Sequence, residues 1–206
     1  MTRQPTKFAH VVYRTRRFAE MLAWYEAVFG ARVQHQNPAL AFLTYDSEHH
    51  RFAFLDLAVT DPGGTAEKDR RGAVGVDHVA YTNASLTDLL ENYAELKAKG
   101  IRPYWCVHHG LTASMYYADP DGNQMEFQVD AFAGDGCNDF IRGEQMSLNP
   151  VGVEYDPDEW LTRLRGGAPE SELLVREVHE PVSPIRGFVV SWGRCRPDAA
   201  AAHLRR

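Results

Sequence analysis

HVVYRT, residues 10–15, returns as HVAYTN at residues 78–83. Working outward from the first copy, FAHVVYR has the composition of a strand and RFAEMLAWYEAVFG that of an amphipathic helix. Phe18, Met21, Leu22, Tyr25 and Phe29 recur at helical spacing, and Gly30 is the stop. ARVQHQ, ALAFLTYD and HRFAFLDLAV follow as three short strands. The second copy repeats the order: VGVDHVAYT is a strand, SLTDLLENYAELKAKG a helix capped by Ser85 and stopped by Gly100, and three strands end at QMEFQVD. The landmarks stay in step. Gly30 follows His10 by about 20 residues and Gly100 follows His78 by about 22; near the far end of each copy stands a carboxylate, Asp56 in the first and Glu126 in the second. A repeat of about 68 residues predicts two βαβββ units, 7–58 and 74–130, in an α+β fold whose paired sheets enclose one cavity.

The last hairpin of the second copy, HHGLTASMYYADPDGNQMEFQVD at 108–130, carries the chemistry. Asp119-Pro120-Asp121-Gly122 suits a type I turn followed by a left-handed glycine. With Pro120, Asp121 and Gly122 as a three-residue loop, Asp119 faces Asn123, and counting outward sets Tyr116 opposite Glu126. The period of two puts Ser114, Tyr116 and Ala118 on the face of that carboxylate. A carboxylate on the inner face of a sheet needs a partner.

The chain of 206 residues is 44% hydrophobic and 24% charged, enough for a real core. A net charge of -6 argues against nucleic acid or anionic membrane as the main partner. No apolar run approaches a membrane span, and MTRQPTKFAH lacks the apolar stretch of a signal peptide. Three scattered cysteines, Cys106, Cys137 and Cys195, form neither a disulfide framework nor a CxxC zinc site, so a cytoplasmic setting is expected. Polar, Gly-rich residues 60–73 form a linker inside a domain spanning 1–132. Residues 133–206 are expected to be a C-terminal extension that covers the site. Within it, Asp156-Pro157 opens a short helix, PESELLVREV has the pattern of a second, and the end is a loose tail.

A pseudo-twofold between the copies makes His10 and His78 equivalent, and Glu126 can reach the same point. Two imidazoles and one carboxylate form a facial triad that leaves neighbouring metal positions open. Held so, Fe(II) takes both oxygens of a catechol and still binds dioxygen, whereas zinc would favour a closed tetrahedron.

AHVVY, WYEAVFGARV, EHHRFAF, VDHVAY and HHGLTASMYYADPDGNQMEF resemble the vicinal oxygen chelate superfamily, and within it the type I extradiol ring-cleavage dioxygenases. The resemblance covers roughly 7–132, and the extension is similar to that of the small dihydroxybiphenyl-type members. It implies a non-haem Fe(II) enzyme that opens a catechol-type ring with O2, with His10, His78 and Glu126 as metal ligands. It also implies three residues outside the ligand set: His50 near the dioxygen site, and His109 and Tyr116 at the substrate hydroxyls. Each histidine has a neighbour competing for its role. His108 stands beside His109, and His49 beside His50, where His50 shares strand parity with Phe52 and Phe54. Fe against Mn, the particular catechol and the oligomeric state, including a possible homo-oligomer, stay open.

Two other functions compete. A glyoxalase-like isomerase or lyase would add a fourth ligand, with Asp56 the candidate. A ligand-sequestering protein of the bleomycin-resistance type would be no enzyme at all. Phe132, Phe140, Trp160 and Trp192 either line an aromatic pocket or belong to the core.

Overall fold

The computed structural model describes residues 7–63, 76–176 and 181–186. Most of the expected linker, Trp192, Cys195 and the expected tail lie outside the described residues. By contact the chain divides into two compact units: the described residues of 1–70 with Asp119–Asp121, and those of 71–118 and 122–206.

The first unit runs β1 (Val11–Thr15), α1 (Phe18–Phe29), β2 (Arg32–Gln36), β3 (Leu40–Thr44), β4 (Phe52–Asp56) and a short helix α2 (Leu57–Thr60). Its sheet has the order β1-β4-β3-β2, with β1 parallel to β4 and the other pairs antiparallel. The second unit repeats this plan with β5 (His78–Thr82), α3 (Leu86–Ala98), β6 (Trp105–His108), β7 (Thr112–Ala118) and β8 (Gln124–Asp130). Their order is β5-β8-β7-β6, again with the first and last strands parallel. The fold is α+β, built from two βαβββ copies.

Each helix buries one stripe on its own sheet. In α1 these are Met21, Leu22, Tyr25 and Val28, and the Tyr25 ring meets Phe52 and Phe54 at centroid distances of 4.6 and 4.8 Å. Gly30 ends the helix at φ +59°, a conformation open to glycine at little cost. In α3, Leu86, Leu89, Leu90, Tyr93 and Leu96 are buried, and the Ser85 hydroxyl accepts from the Asp88 N–H at 3.0 Å.

Residues 57–60 depart from the expected continuation of strand HRFAFLDLAV. The Asp56 carboxylate accepts from the Ala58 N–H at 2.8 Å and turns the chain into α2. The parity assigned to His50 also fails, because β4 begins only at Phe52. Phe52 and Phe54 pair with Leu43 and Ala41 on the helix face. His50 instead packs on Phe42, whose register partner is Ala53, so it belongs to the opposite face.

The C-terminal part of the second unit holds α4 (Gly136–Arg142), α5 (Glu144–Leu148), β9 (Val153–Glu154), α6 (Pro157–Arg165) and α7 (Glu170–Leu173). The Asp156 side chain caps α6, as its Asp-Pro start implied. Strand β9 adds to the edge of β6. Tyr93 donates to Asp158, and the Glu170 carboxylate accepts from the Leu86 and Thr87 N–H groups, which fastens α6 and α7 to α3.

Candidate active site

Strand alternation decides which side chains of the second unit meet. Tyr116 lies directly across the β7–β8 ladder from Glu126, and Ala80 lies across the β5–β8 ladder from it. Trp105 is the register partner of Tyr116 on β6. His78, Glu126, Tyr116 and Trp105 therefore share the face opposite α3.

His78 and Glu126 are in contact, with Nε2 3.1 Å from Oε2. The other imidazole nitrogen, Nδ1, is 2.8 Å from the Asp77 carboxylate. Glu126 is only 5% exposed. Burial pushes its carboxyl up, but hydrogen bonds from His78 and Ser114 and the nearby His109 more than offset this and hold it below the usual carboxylate range. The same contact pushes His78 up to about 9, against its partial burial and with help from Asp77. An ionised, buried carboxylate thus faces an imidazole nitrogen whose ring is oriented from behind by a second carboxylate.

His109 follows β6 in a three-residue turn closed by Gly110 at φ +102° and Leu111. Its Nδ1 donates to the Val151 carbonyl, a group that only accepts, so Nε2 keeps its lone pair in the neutral ring. That nitrogen is 3.1 Å from the Tyr116 hydroxyl and 3.7 Å from Glu126 Oε1. Burial lowers the His109 pKa, opposed by the Glu126 charge and the Val151 carbonyl. Burial first, and then Glu126, raise that of Tyr116, so the phenol keeps its proton.

His108 goes the other way. At 2% exposed it lies behind the sheet near Trp160, and its Nδ1 accepts from the Gly110 N–H at 3.0 Å. Burial pushes it down to about 4, so it is neutral. Trp105, Val107 and His109 alternate with it onto the inner face. Of the adjacent pair, only His109 reaches Tyr116 and Glu126.

In the first unit, His10 packs on His50 at a centroid distance of 4.3 Å, while His49 is 6.3 Å from His10 and turns Nε2 toward Glu48 at 3.5 Å. Burial and the neighbouring His10 and His49 lower the His50 pKa. Asp56 is engaged as the cap of α2. Within neither unit do three or more His, Cys, Asp or Glu side chains of the described residues converge as a ligand cluster. The structure brings together His78, Glu126, His109 and Tyr116 in one unit, and His10 with His50 in the other.

A cavity of about 200 Å³ opens beside His78 and Tyr116, walled by Tyr104, Trp105, Val151 and Ile185. Phe132, Phe140 and Trp160, the described members of the aromatic set named from sequence, do not line it. Phe132 stacks on Phe140, and Trp160 stacks on Tyr155 at 3.9 Å. Trp105 and Asp77 were missed. Counting across the β6–β7 turn from Tyr116 finds Trp105, whereas nothing in the sequence marks Asp77 beyond its place beside His78.

The donors fit a divalent metal. Glu126 Oε2 and His78 Nε2 are an anionic oxygen and an imidazole nitrogen already facing each other, and Asp77 on Nδ1 is the outer carboxylate that orients metal-binding histidines.

Residues 7–127 match the family model described as the Glyoxalase/Bleomycin resistance protein/Dioxygenase superfamily. The chain is 41% identical over 171 residues to biphenyl-2,3-diol 1,2-dioxygenase 3 of Rhodococcus globerulus, covering 82% of this chain and 88% of that one. With biphenyl-2,3-diol 1,2-dioxygenase 2 of the same organism the identity is 44% over 170 residues, covering 82% and 86%. Among solved structures, a glyoxalase/bleomycin resistance protein/dioxygenase from Nocardioides superposes with a TM-score of 0.51 at 18% identity, covering 65% of this chain and 89% of that one. A domain of the same description from Frankia sp. EAN1pec also gives 0.51 at 15%, covering 66% and 100%. These two carry the fold alone. By the family match and by the two relatives, the chain belongs to the glyoxalase/bleomycin resistance protein/dioxygenase superfamily.

Proposed function

We propose that this chain is an extradiol ring-cleavage dioxygenase that opens a catechol-type diol, of the biphenyl-2,3-diol class, with O2 at ferrous iron. The observation that carries the reading is the buried, ionised Glu126 set between His78 and the Tyr116–His109 pair on one sheet face. The two Rhodococcus dioxygenases, similar over most of their lengths, support it. The ligands we assign are His78, Glu126 and His10, the last from its equivalent position in the first copy.

Iron bound there supplies the one-electron chemistry that joins an aromatic diol to dioxygen. The protein residues handle protons and position. Nε2 of His109, its lone pair fixed by the Val151 carbonyl, accepts a proton from a substrate hydroxyl. Tyr116, protonated throughout, donates a hydrogen bond to a diol oxygen and steers the proton toward His109. His50 is assigned to the negative charge that builds on dioxygen. Trp105, stacked on Tyr116 at 4.8 Å, presents an aromatic wall to the ring. Residues 1–132 are read as one domain and 133–206 as its extension, which reaches the cavity through Val151 and Ile185. Iron content after anaerobic purification, followed by oxygen uptake with a panel of catechols, tests the assignment.

A further inference from the structure

One cation of the C-terminal extension stands apart from the ion pairs of the surface. The Arg176 guanidinium donates from Nη1 to the His109 carbonyl and to the Asn149 carbonyl, both at 3.0 Å, and from Nη2 to the Gln145 carbonyl at 3.4 Å. It also lies over the Phe140 ring at 5.3 Å. Among the described residues no carboxylate pairs with it. Neutral carbonyl acceptors return less Coulomb attraction to a partly desolvated guanidinium than a carboxylate would. Its value lies in geometry, since a planar fork reaches two carbonyls that a point charge on a flexible stem does not hold together.

Those carbonyls close a ring of contacts. Asn149 Oδ1 accepts from the Val151 and Gly152 N–H groups at 3.2 and 2.7 Å, and its Nδ2 donates to the Gly152 carbonyl. Val151 in turn offers its carbonyl to His109 Nδ1. The backbone and the ring of His109 are therefore referenced to the same short loop, and Arg176 ties the two ends. The loop has little freedom to drift, because a Cβ at Gly152 would stand 2.4 Å from the His108 carbonyl oxygen.

We infer that Arg176 is a positioning residue for ring cleavage: by holding the His109 and Asn149 carbonyls it keeps the Val151 carbonyl on Nδ1 and the lone pair of Nε2 aimed at Tyr116. The inference rests on the assignment of His109 as the proton acceptor. Without the clamp, Nδ1 loses its fixed acceptor and the ring is free to take the other tautomer. Nε2 then carries the proton and cannot accept one.

The test uses the full chain with Arg176→Ala and Arg176→Lys. Long-range ¹⁵N–¹H NMR on the metal-free protein should find His109 protonated on Nδ1 in the parent and in mixed tautomers in both variants. With iron loaded, kcat per bound iron should fall about tenfold in Arg176→Ala while KM stays within about twofold. Dilute guanidinium ion should recover part of the lost turnover. A lowered melting temperature with an unchanged tautomer overturns the inference, and so does an unchanged kcat whatever the tautomer. If Arg176→Ala does not fold, Arg176→Lys, which keeps the charge but not the fork, gives the same decision. A parent without ring-cleaving activity defeats the proposed function, and the tautomer comparison still decides the clamp.

Discussion

Tyr116 and Glu126 are a directly opposed pair on the antiparallel strands β7 and β8. The phenol meets the buried carboxylate on one side and His109 Nε2 on the other. Removing the hydroxyl leaves the ring stacked on Trp105, so Tyr116→Phe should keep its metal and lose roughly 1 kcal/mol of stability or less. Its turnover should fall by a factor on the order of 10² or more, measured as kcat per bound iron.

Glu126→Ala removes the one anionic ligand assigned. It should abolish stoichiometric iron binding, and iron bound at parental levels in that variant would remove Glu126 from the site. Asp56→Ala makes the complementary case. Its carboxylate caps α2, so the variant should retain iron and lose about 1 kcal/mol, read from chemical denaturation.

The adjacent histidines should separate cleanly. His109→Asn takes away the proton acceptor and should lower turnover by at least about tenfold with metal retained. His108→Asn can place its Oδ1 where Nδ1 accepted from the Gly110 N–H, so its turnover should stay near the parent's. A loss confined to His108→Asn would transfer the catalytic role by one residue.

Two glycines with left-handed backbones predict unequal costs. Gly100 has φ +79° and nothing near its missing Cβ, so Gly100→Ala should cost about 1–2 kcal/mol from backbone strain alone. Gly152 has φ +110°, and its Cβ would strike the His108 carbonyl and the His109 backbone. Gly152→Ala should therefore be the more destabilising in thermal melts, and it should also lower kcat because the Val151 carbonyl moves with it. Equal melting temperatures would contradict the packing described around His109.

The repeat was legible because periodicity and turn chemistry are local. His10 and His78, the helix stops at Gly30 and Gly100 and the Tyr116–Glu126 pairing all follow from counting. Strand alternation puts His50 on the Phe52 face only if β4 reaches back to it, and β4 begins at Phe52, so His50 sits with Phe42 on the other face. The choice of His109 over His108 was within reach, since counting back from Tyr116 through the Gly110 turn gives the odd positions of β6 to the inner face. Helices α4 and α5 were not readable, as neither buries a residue that would give it a periodic stripe. Arg176 left no signal either. Its partners are backbone carbonyls, which every residue carries.

Extradiol cleavage at iron is read out by oxygen consumption of the anaerobically iron-loaded protein, followed together with the absorbance of the product from a 2,3-dihydroxybiphenyl-type catechol. One O2 should be consumed per ring, with a yellow semialdehyde-type product from cleavage beside the diol. No oxygen uptake by the iron-loaded protein across a panel of catechols, or a colourless dicarboxylic acid from cleavage between the hydroxyls, would contradict it.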